Sequence, residues 1–528
     1  MLIIRDLKAP LDYEADSLKN MVSEKLNISP DRIKHINIIK RAVNNRNIQE
    51  VFFDITVSAV VTGDEDEVLS ANRKNSVFRL EEPIYSIPRK KLSLRPVVVG
   101  CGPAGLFAAL PLARAGANPV LLERGADVYT RTKKVERFWD TGQIDTETNV
   151  QFGEGGAGLF SDGKLKTGKK DGRKEWILNE LIKAGAPFEI RYLAKPHIGT
   201  DNLKKVVVRI RNEIISMGGE VRFGVVFSGL IQEQGKIKGI RLRVNGQEEE
   251  VITDNVVLAI GNSARDTFYM LKNSGIAMEY KPFAVGIRIE HPQELINRIK
   301  YGGFSAHPSL GAADYRMAVH LPNGRNVYTF CMCPGGRVVA ASSEEEGLTV
   351  NGMSEFARDG QNANTALLVT LKREDMGSGD TLAGIEYQRR IERAAFVSGG
   401  GGYKAPVQRL EDFMQRRSSD FFGDVQPTYI PGTRFAQADS YLPDYITDSL
   451  RRAVKEMEDW MPGFAFPDAL LTGAETRSSS PVRILRDEGM QAVGLKGLYP
   501  CGEGAGYSGG IISAAVDGVL CAEHILKK

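Results

Sequence analysis

The residues best placed to do chemistry are three glycines in Val97-Val98-Val99-Gly100-Cys101-Gly102-Pro103-Ala104-Gly105, a strand running into G-x-G-x-x-G and then a small-residue helix. The spacing suits a dinucleotide. Gly100 permits the tight turn out of the strand, Gly102 lets the backbone approach a pyrophosphate, and Gly105 lets the helix pack close to the sheet. The pyrophosphate then lies on the helix N-terminus, where free N–H groups and the macrodipole favour negative charge. Pro103 fits the first helical turn, where an N–H has no partner to lose. A second strand, Pro119-Val120-Leu121-Leu122, ends in Glu123, an acceptor for a ribose diol at the spacing such sites use, with Arg124 beside it.

Two other glycine-rich stretches could meet the same ligand. Gly153 to Gly163 exposes backbone N–H groups suited to a pyrophosphate or a ring edge, with Gly155, Gly156, Ser161 and Lys164 as candidate contacts; a mobile surface loop is the alternative. Near the C-terminus a strand leads into Gly502-Glu503-Gly504, followed by a small-residue helix opening at Gly510 and Ile511. Val226, at the end of the strand expected over 220–226, Gly261, after the strand Val256 to Ile260, and Arg265 complete the candidate set.

Other groups offer less. Cys331-Met332-Cys333 has C-x-C rather than C-x-x-C spacing. A regular strand would point both thiols to one face, so strand packing is the expectation. Cys101 and Cys501 read as small residues in tight turns. No two of the six histidines have ligand spacing, and no metal is expected; His197 and His291 read as structural. Arg477, Arg483 and Lys281 could each meet a substrate anion or simply form an ion pair. The Gly399–Gly402 run reads as a loop, not a second nucleotide fingerprint. No catalytic base can be designated.

These segments resemble the FAD oxidoreductases with a glutathione-reductase-type FAD fold. In that family the segment matching Gly502-Glu503-Gly504 meets the ribityl chain, and the helix opening at Gly510 and Ile511 points its N-terminus at the flavin. The chain is more closely similar to a group known as FAD-dependent or NAD(FAD)-utilising dehydrogenases. The matching segments are Phe152 to Leu165, Pro196 to Asp201, Ala259 to Asp266, Phe330 to Gly336 and Glu475 to Arg483. The resemblance implies non-covalent FAD and two-electron transfer at the flavin ring. The alternative reading is a redox-silent flavin-binding protein with a macromolecule-binding N-terminal domain.

The elements that must position these residues follow an α/β pattern. Residues 1–92 read as a small α/β domain. They hold strands at Met1–Ile4, Ile33–Ile39 and Val51–Val61, a helix over Ala15–Leu26 and a proline-bearing linker from Glu81 to Arg95. Strand and helix then alternate, which predicts a Rossmann-type FAD-binding domain with a parallel sheet over 93–270, closed by 470–528. Its last part before 270 includes an antiparallel meander over Gly229–Val251. A mixed α/β substrate or cap domain is expected as an insertion over 271–469.

With 528 residues, 26% charged, and a net charge of +3, the chain has the composition of an ordinary globular protein and no basic face for nucleic acid. Arg89-Lys90-Lys91 and Lys169-Lys170 are short basic runs that read as solvated surface. No apolar stretch is long enough for a membrane helix, and Met1 to Leu7 lacks a secretory pattern. Five cysteines suit a reducing compartment, and the cytoplasm is expected. The expected partner is a small-molecule substrate or an electron donor or acceptor, with NAD(P)H a candidate. The oligomeric state is not legible.

Overall fold

The structure is a computed structural model describing residues 1–72, 76–79, 85–165 and 171–527. The first part of the expected linker (81–84) and the Lys169-Lys170 pair therefore lie outside the described residues.

The N-terminal unit has the order strand, helix, strand, strand, helix, strand. Its strands Leu2–Ala9, Ile33–Asn44, Phe52–Val61 and Val77–Arg79 form one antiparallel sheet, with Leu2–Ala9 between Phe52–Val61 and Val77–Arg79. This is the split βαβ arrangement of ferredoxin-like folds. Leu18, Val22 and Leu26 of the helix Ala15–Leu26 are buried, as their helical spacing predicts. The helix Glu65–Asn72 and the last strand were not legible, because the first is short and acidic and the second has only three residues.

The strands Leu498–Pro500, Val256–Leu258, Val97–Val99, Val120–Glu123 and Glu220–Phe223 form, in that spatial order, an all-parallel sheet. Both faces are covered, which is why its strands read as unbroken apolar runs. Val98, Leu121, Val257 and Tyr499 turn to the helical side, where Pro103–Arg114, Thr200–Ser216 and Ile511–Lys527 pack. Val97, Val99, Leu122 and Leu258 turn to the meander Val225–Glu233, Lys236–Val244 and Gln247–Ile252. The strand expected over 220–226 is thus two strands, broken at Gly224, whose φ is +69°.

A seven-stranded sheet follows, in the order Ala318–His320, Asn326–Cys333, Asn362–Thr370, Ala284–Pro292, Leu470–Glu475, Ala405–Arg409 and Thr433–Phe435. Its neighbours are antiparallel except the last pair. Leu470–Glu475 sits centrally in this sheet, so the closing stretch of the parallel-sheet unit begins after it and not at residue 470. Among the described residues no helix is long and apolar enough to cross a membrane.

Candidate functional site

The fingerprint turn is built by backbone contact. Gly100 has φ +102°, and a Cβ there would lie 2.3 Å from the Ala259 carbonyl oxygen of the neighbouring strand connection. A Cβ on Gly105 would lie 1.7 Å from the Gly100 carbonyl oxygen, so the helix Pro103–Arg114 closes on its own turn only because that atom is missing. Gly102 caps the helix without a side-chain acceptor, which leaves its first N–H groups for a ligand.

Glu123 ties this turn to two others. Its Oε2 accepts from the Cys101 N–H at 2.9 Å, and its Oε1 accepts from the N–H groups of Gly125 and Gly153, each at 2.9 Å. The side chain is buried, yet it lines the cavity described below, and Oε2 retains acceptor capacity.

The Gly153–Gly163 loop is held from beneath by Arg131, which the sequence did not single out. Arg131 is fully buried and donates to the carbonyls of Asn149, Val150, Gly153, Glu154 and Gly156 at 2.6–3.1 Å. Burial lowers its pKa to about 10. Ordered in this way, the loop brings Gly156 opposite Gly102: a Cβ on Gly156 would stand 3.0 Å from the Gly102 Cα.

These turns open on one cavity of about 750 Å³, inside the roughly 300–1,000 Å³ typical of ligand sites. One end is the fingerprint, with Gly100, Gly102, Pro103, Ala104, Glu123 and Arg124. Gly156, Ser161, Lys164, Val226 and Gly261 also line it, and Glu503, Gly510 and Ile511 enter from the C-terminal segment. The far wall is the seven-stranded sheet, through Tyr328, Phe330, Cys331 and Glu475, with Tyr315 beside it.

The charges along it are uneven. Lys164 Nζ is buried with no hydrogen-bond partner, 3.4 Å from Asp162 Oδ2. Burial acts to raise the Asp162 pKa, but the Lys164 and Arg358 charges outweigh it and hold the carboxyl below its ordinary range. Glu503 has no such guanidinium: burial pushes it up to about 7, opposed by Lys281 and by the Asn262 amide, which donates to it at 3.1 Å.

Four candidates do not line the cavity. Gly105, Gly155 and Gly502 shape the backbone behind it; the Gly502 N–H donates to Asp517 at 2.7 Å. Arg265 is a correction: its side chain, 1% exposed, turns away into Glu344, Glu392 and Gln388, and a buried guanidinium needs such carboxylates more than a ligand. Arg124 lines the cavity, is held by Asp266 and Glu147, and lies over the Phe152 ring. Of the substrate-anion candidates, Arg477 lines the cavity while bonded to Glu392 and Ser343, and Arg483 pairs with Glu279. His291 is buried against the Phe464 carbonyl, with burial lowering it to about 4, and His197 stacks on Phe356; both are structural contacts. Cys101 and Cys501 both reach the cavity wall. Gly399–Gly402 follows the helix Ala383–Ser398 as a turn. No group of three or more metal-ligating side chains occurs among the described residues.

The residues present fit a dinucleotide that extends into a ring system. A helix N-terminus faces the cavity, a carboxylate with acceptor capacity stands beside it, and an ammonium without a hydrogen-bond partner lines the same cavity.

Residues 282–478 match the family described as FAD-dependent protein, C-terminal domain-like. An uncharacterized protein of Clostridium beijerinckii is 47% identical over 528 residues, covering 99% of this chain and 98% of its own. Among solved structures, 3-ketosteroid-Δ4-(5α)-dehydrogenase from Rhodococcus jostii is 13% identical with a TM-score of 0.35, covering 83% of this chain and 99% of its own. A geranylgeranyl bacteriochlorophyll reductase-like protein from Thermoplasma acidophilum is 13% identical with a TM-score of 0.34, covering 81% and 77%.

Proposed function

The chain belongs to the family of FAD-dependent proteins that includes the Clostridium beijerinckii relative, and from that premise we propose that it is an oxidoreductase acting on a small molecule through non-covalent FAD. The observation that carries this reading is the continuity of the cavity, from the Gly100–Gly105 turn to the aromatic wall of the seven-stranded sheet. FAD, when bound, supplies a two-electron acceptor and donor at its ring.

The chain's own residues then bind, orient and shield. The N-terminus of the helix Pro103–Arg114 and the Gly156 turn would hold the diphosphate, with Glu123 Oε2 accepting from the ribose. Glu503 would accept from the ribityl hydroxyls. The helix Ile511–Lys527 opens on the cavity and would place its positive end near the ring, favouring reduced, anionic flavin. Tyr315, Tyr328 and Phe330 add aromatic surface to a wall that also carries Arg316, Glu475 and Arg477, a combination suited to a flat substrate bearing a polar group.

The test is the visible spectrum of the purified protein, repeated anaerobically with NADH and with NADPH. Flavin bands that bleach with either nucleotide support an oxidoreductase and identify its donor. Bands that resist every reductant tried, chemical ones included, favour a structural flavin. A colourless protein that takes up no FAD overturns the proposal.

A further inference from the structure

The seven-stranded sheet is irregular where it meets the cavity. Phe330 pairs with Ala366 and Cys333 with Asn364, so the strand Asn326–Cys333 carries one residue more than its partner. The surplus falls at a bulge where Cys331 has φ +46°, a region that non-glycine residues seldom adopt. Bulges re-aim side chains, often beside active sites. This corrects the expectation of two thiols on one face of a regular strand: Cys331 is on the cavity wall, and Cys333 is fully buried behind it.

The surroundings treat the two sulfurs differently. Cys333 Sγ lies 3.3 Å from the Cys331 carbonyl oxygen, and the buried Arg288 donates to that oxygen at 3.2 Å. A hydrogen bond from the Cys333 thiol, aided by the Lys164 and Arg288 charges, lowers Cys331 to about 6 against burial and the Asp162 charge. Cys333 is pushed well above the ordinary thiol range. The surroundings thus favour the thiolate at Cys331, on the cavity wall, and the thiol at Cys333.

We propose that Cys331 and Cys333 form a redox-active dithiol–disulfide pair on the wall of the flavin cavity, with Cys331 as the sulfur on the cavity side. The inference rests on the FAD reading of that cavity. In the oxidising direction an S–S bond forms between the two sulfurs and the Cys333 S–H bond breaks. Two electrons and that proton pass to oxidised FAD, giving its reduced anion, so charge and atoms balance. In the reverse direction the disulfide stores two electrons delivered through the cofactor. The ammonium of Lys164 then has a use that ion pairing with Asp162 alone does not give it: it offsets the thiolate charge on the cavity side.

The experiment is an anaerobic dithionite titration of the FAD-loaded protein that counts electrons taken up per flavin. Wild type is expected to take up two more electrons than the flavin bands account for, and C331S and C333S to lose that surplus. C333S leaves the cavity wall intact and serves if C331S retains no FAD. In parallel, diamide should block alkylation of both cysteines, with the loss of two hydrogens in the peptide that carries them, and dithiothreitol should restore both thiols. A yellow protein with no surplus in wild type, and with both cysteines still alkylated after diamide, overturns this inference alone. A colourless protein that refuses FAD overturns the proposed function and this inference with it.

Discussion

Replacing Glu123 by Gln tests the site at the point where three turns converge. The carboxylate accepts three backbone N–H groups, and a Gln amide can serve at most one side of that arrangement. With its oxygen toward Gly125 and Gly153, its NH₂ faces the Cys101 N–H, donor against donor. A buried N–H left unpaired costs about 1–3 kcal/mol, and the two surviving bonds lose their charge assistance. Local stability of the turn should therefore fall by about 2–4 kcal/mol. The ribose loses a charged acceptor worth about 1.5–3 kcal/mol, which at about 1.4 kcal/mol per decade predicts FAD binding weaker by about 10- to 150-fold. The assays are flavin fluorescence titration for affinity and amide hydrogen exchange at Cys101, Gly125 and Gly153 for the turn. Unchanged affinity together with unchanged exchange would refute the assignment of Glu123 as clasp and ribose acceptor. Faster exchange with unchanged affinity would refute the ribose contact alone.

Gly105→Ala should destabilise the protein by about 1–3 kcal/mol and abolish flavin retention, since the new Cβ meets the Gly100 carbonyl oxygen at 1.7 Å and both atoms are fixed by backbone; a folded G105A protein that purifies yellow contradicts this. Arg131→Lys should open the 149–163 loop to proteolysis and weaken FAD binding, because one ammonium cannot reach the five carbonyls that the guanidinium satisfies; limited proteolysis that leaves the loop as resistant as in wild type sinks the idea. The pH dependence of FAD binding should follow Glu503, whose pKa in the flavin-free protein is raised by burial to about 7. If ribityl hydroxyls donate to its carboxylate, binding expels a proton below that value, and affinity should fall by up to about tenfold per pH unit on acidification through 7. The same group stabilises the flavin-free fold below its ordinary value of 4.5, a contribution lost as pH rises through about 7. A flat affinity profile in wild type, or an equally steep one in E503Q, excludes Glu503 as the titrating contact.

What was legible in the sequence was what short-range spacing encodes. The Gly100–Gly105 turn, Glu123 and the Glu503 segment each carry their signal within a few residues, and each reaches the cavity. The parallel strands were legible because burial on both faces leaves an unbroken apolar run such as Val97–Val99. What was missed depends on long-range pairing. Arg265 stands beside a candidate glycine strand end in sequence, but its partners Glu344 and Glu392 lie 79 and 127 residues away, and they decide its direction. Arg358 reaches Asp162 across 196 residues. Arg131 gives no local sign that its side chain reaches the carbonyls of the glycine-rich loop.

The bulge at Cys331 shows the same limit in a sharper form. Alternation along a regular strand puts residues two apart on one face, which is why Cys331 and Cys333 read as packing. One added residue breaks that period, so Cys331 lines the cavity while Cys333 is buried behind it. The period of a strand is a property of its pairing with a neighbour, here Asn362–Thr370, and the pairing register is absent from the strand's own composition. The cavity draws its cofactor end from the parallel sheet and its aromatic wall from the seven-stranded sheet, and only the first has a local fingerprint. Sequence motifs therefore report the fingerprint end of the cavity, whereas the wall positions Tyr328 and Phe330 are brought to it only by long-range pairing.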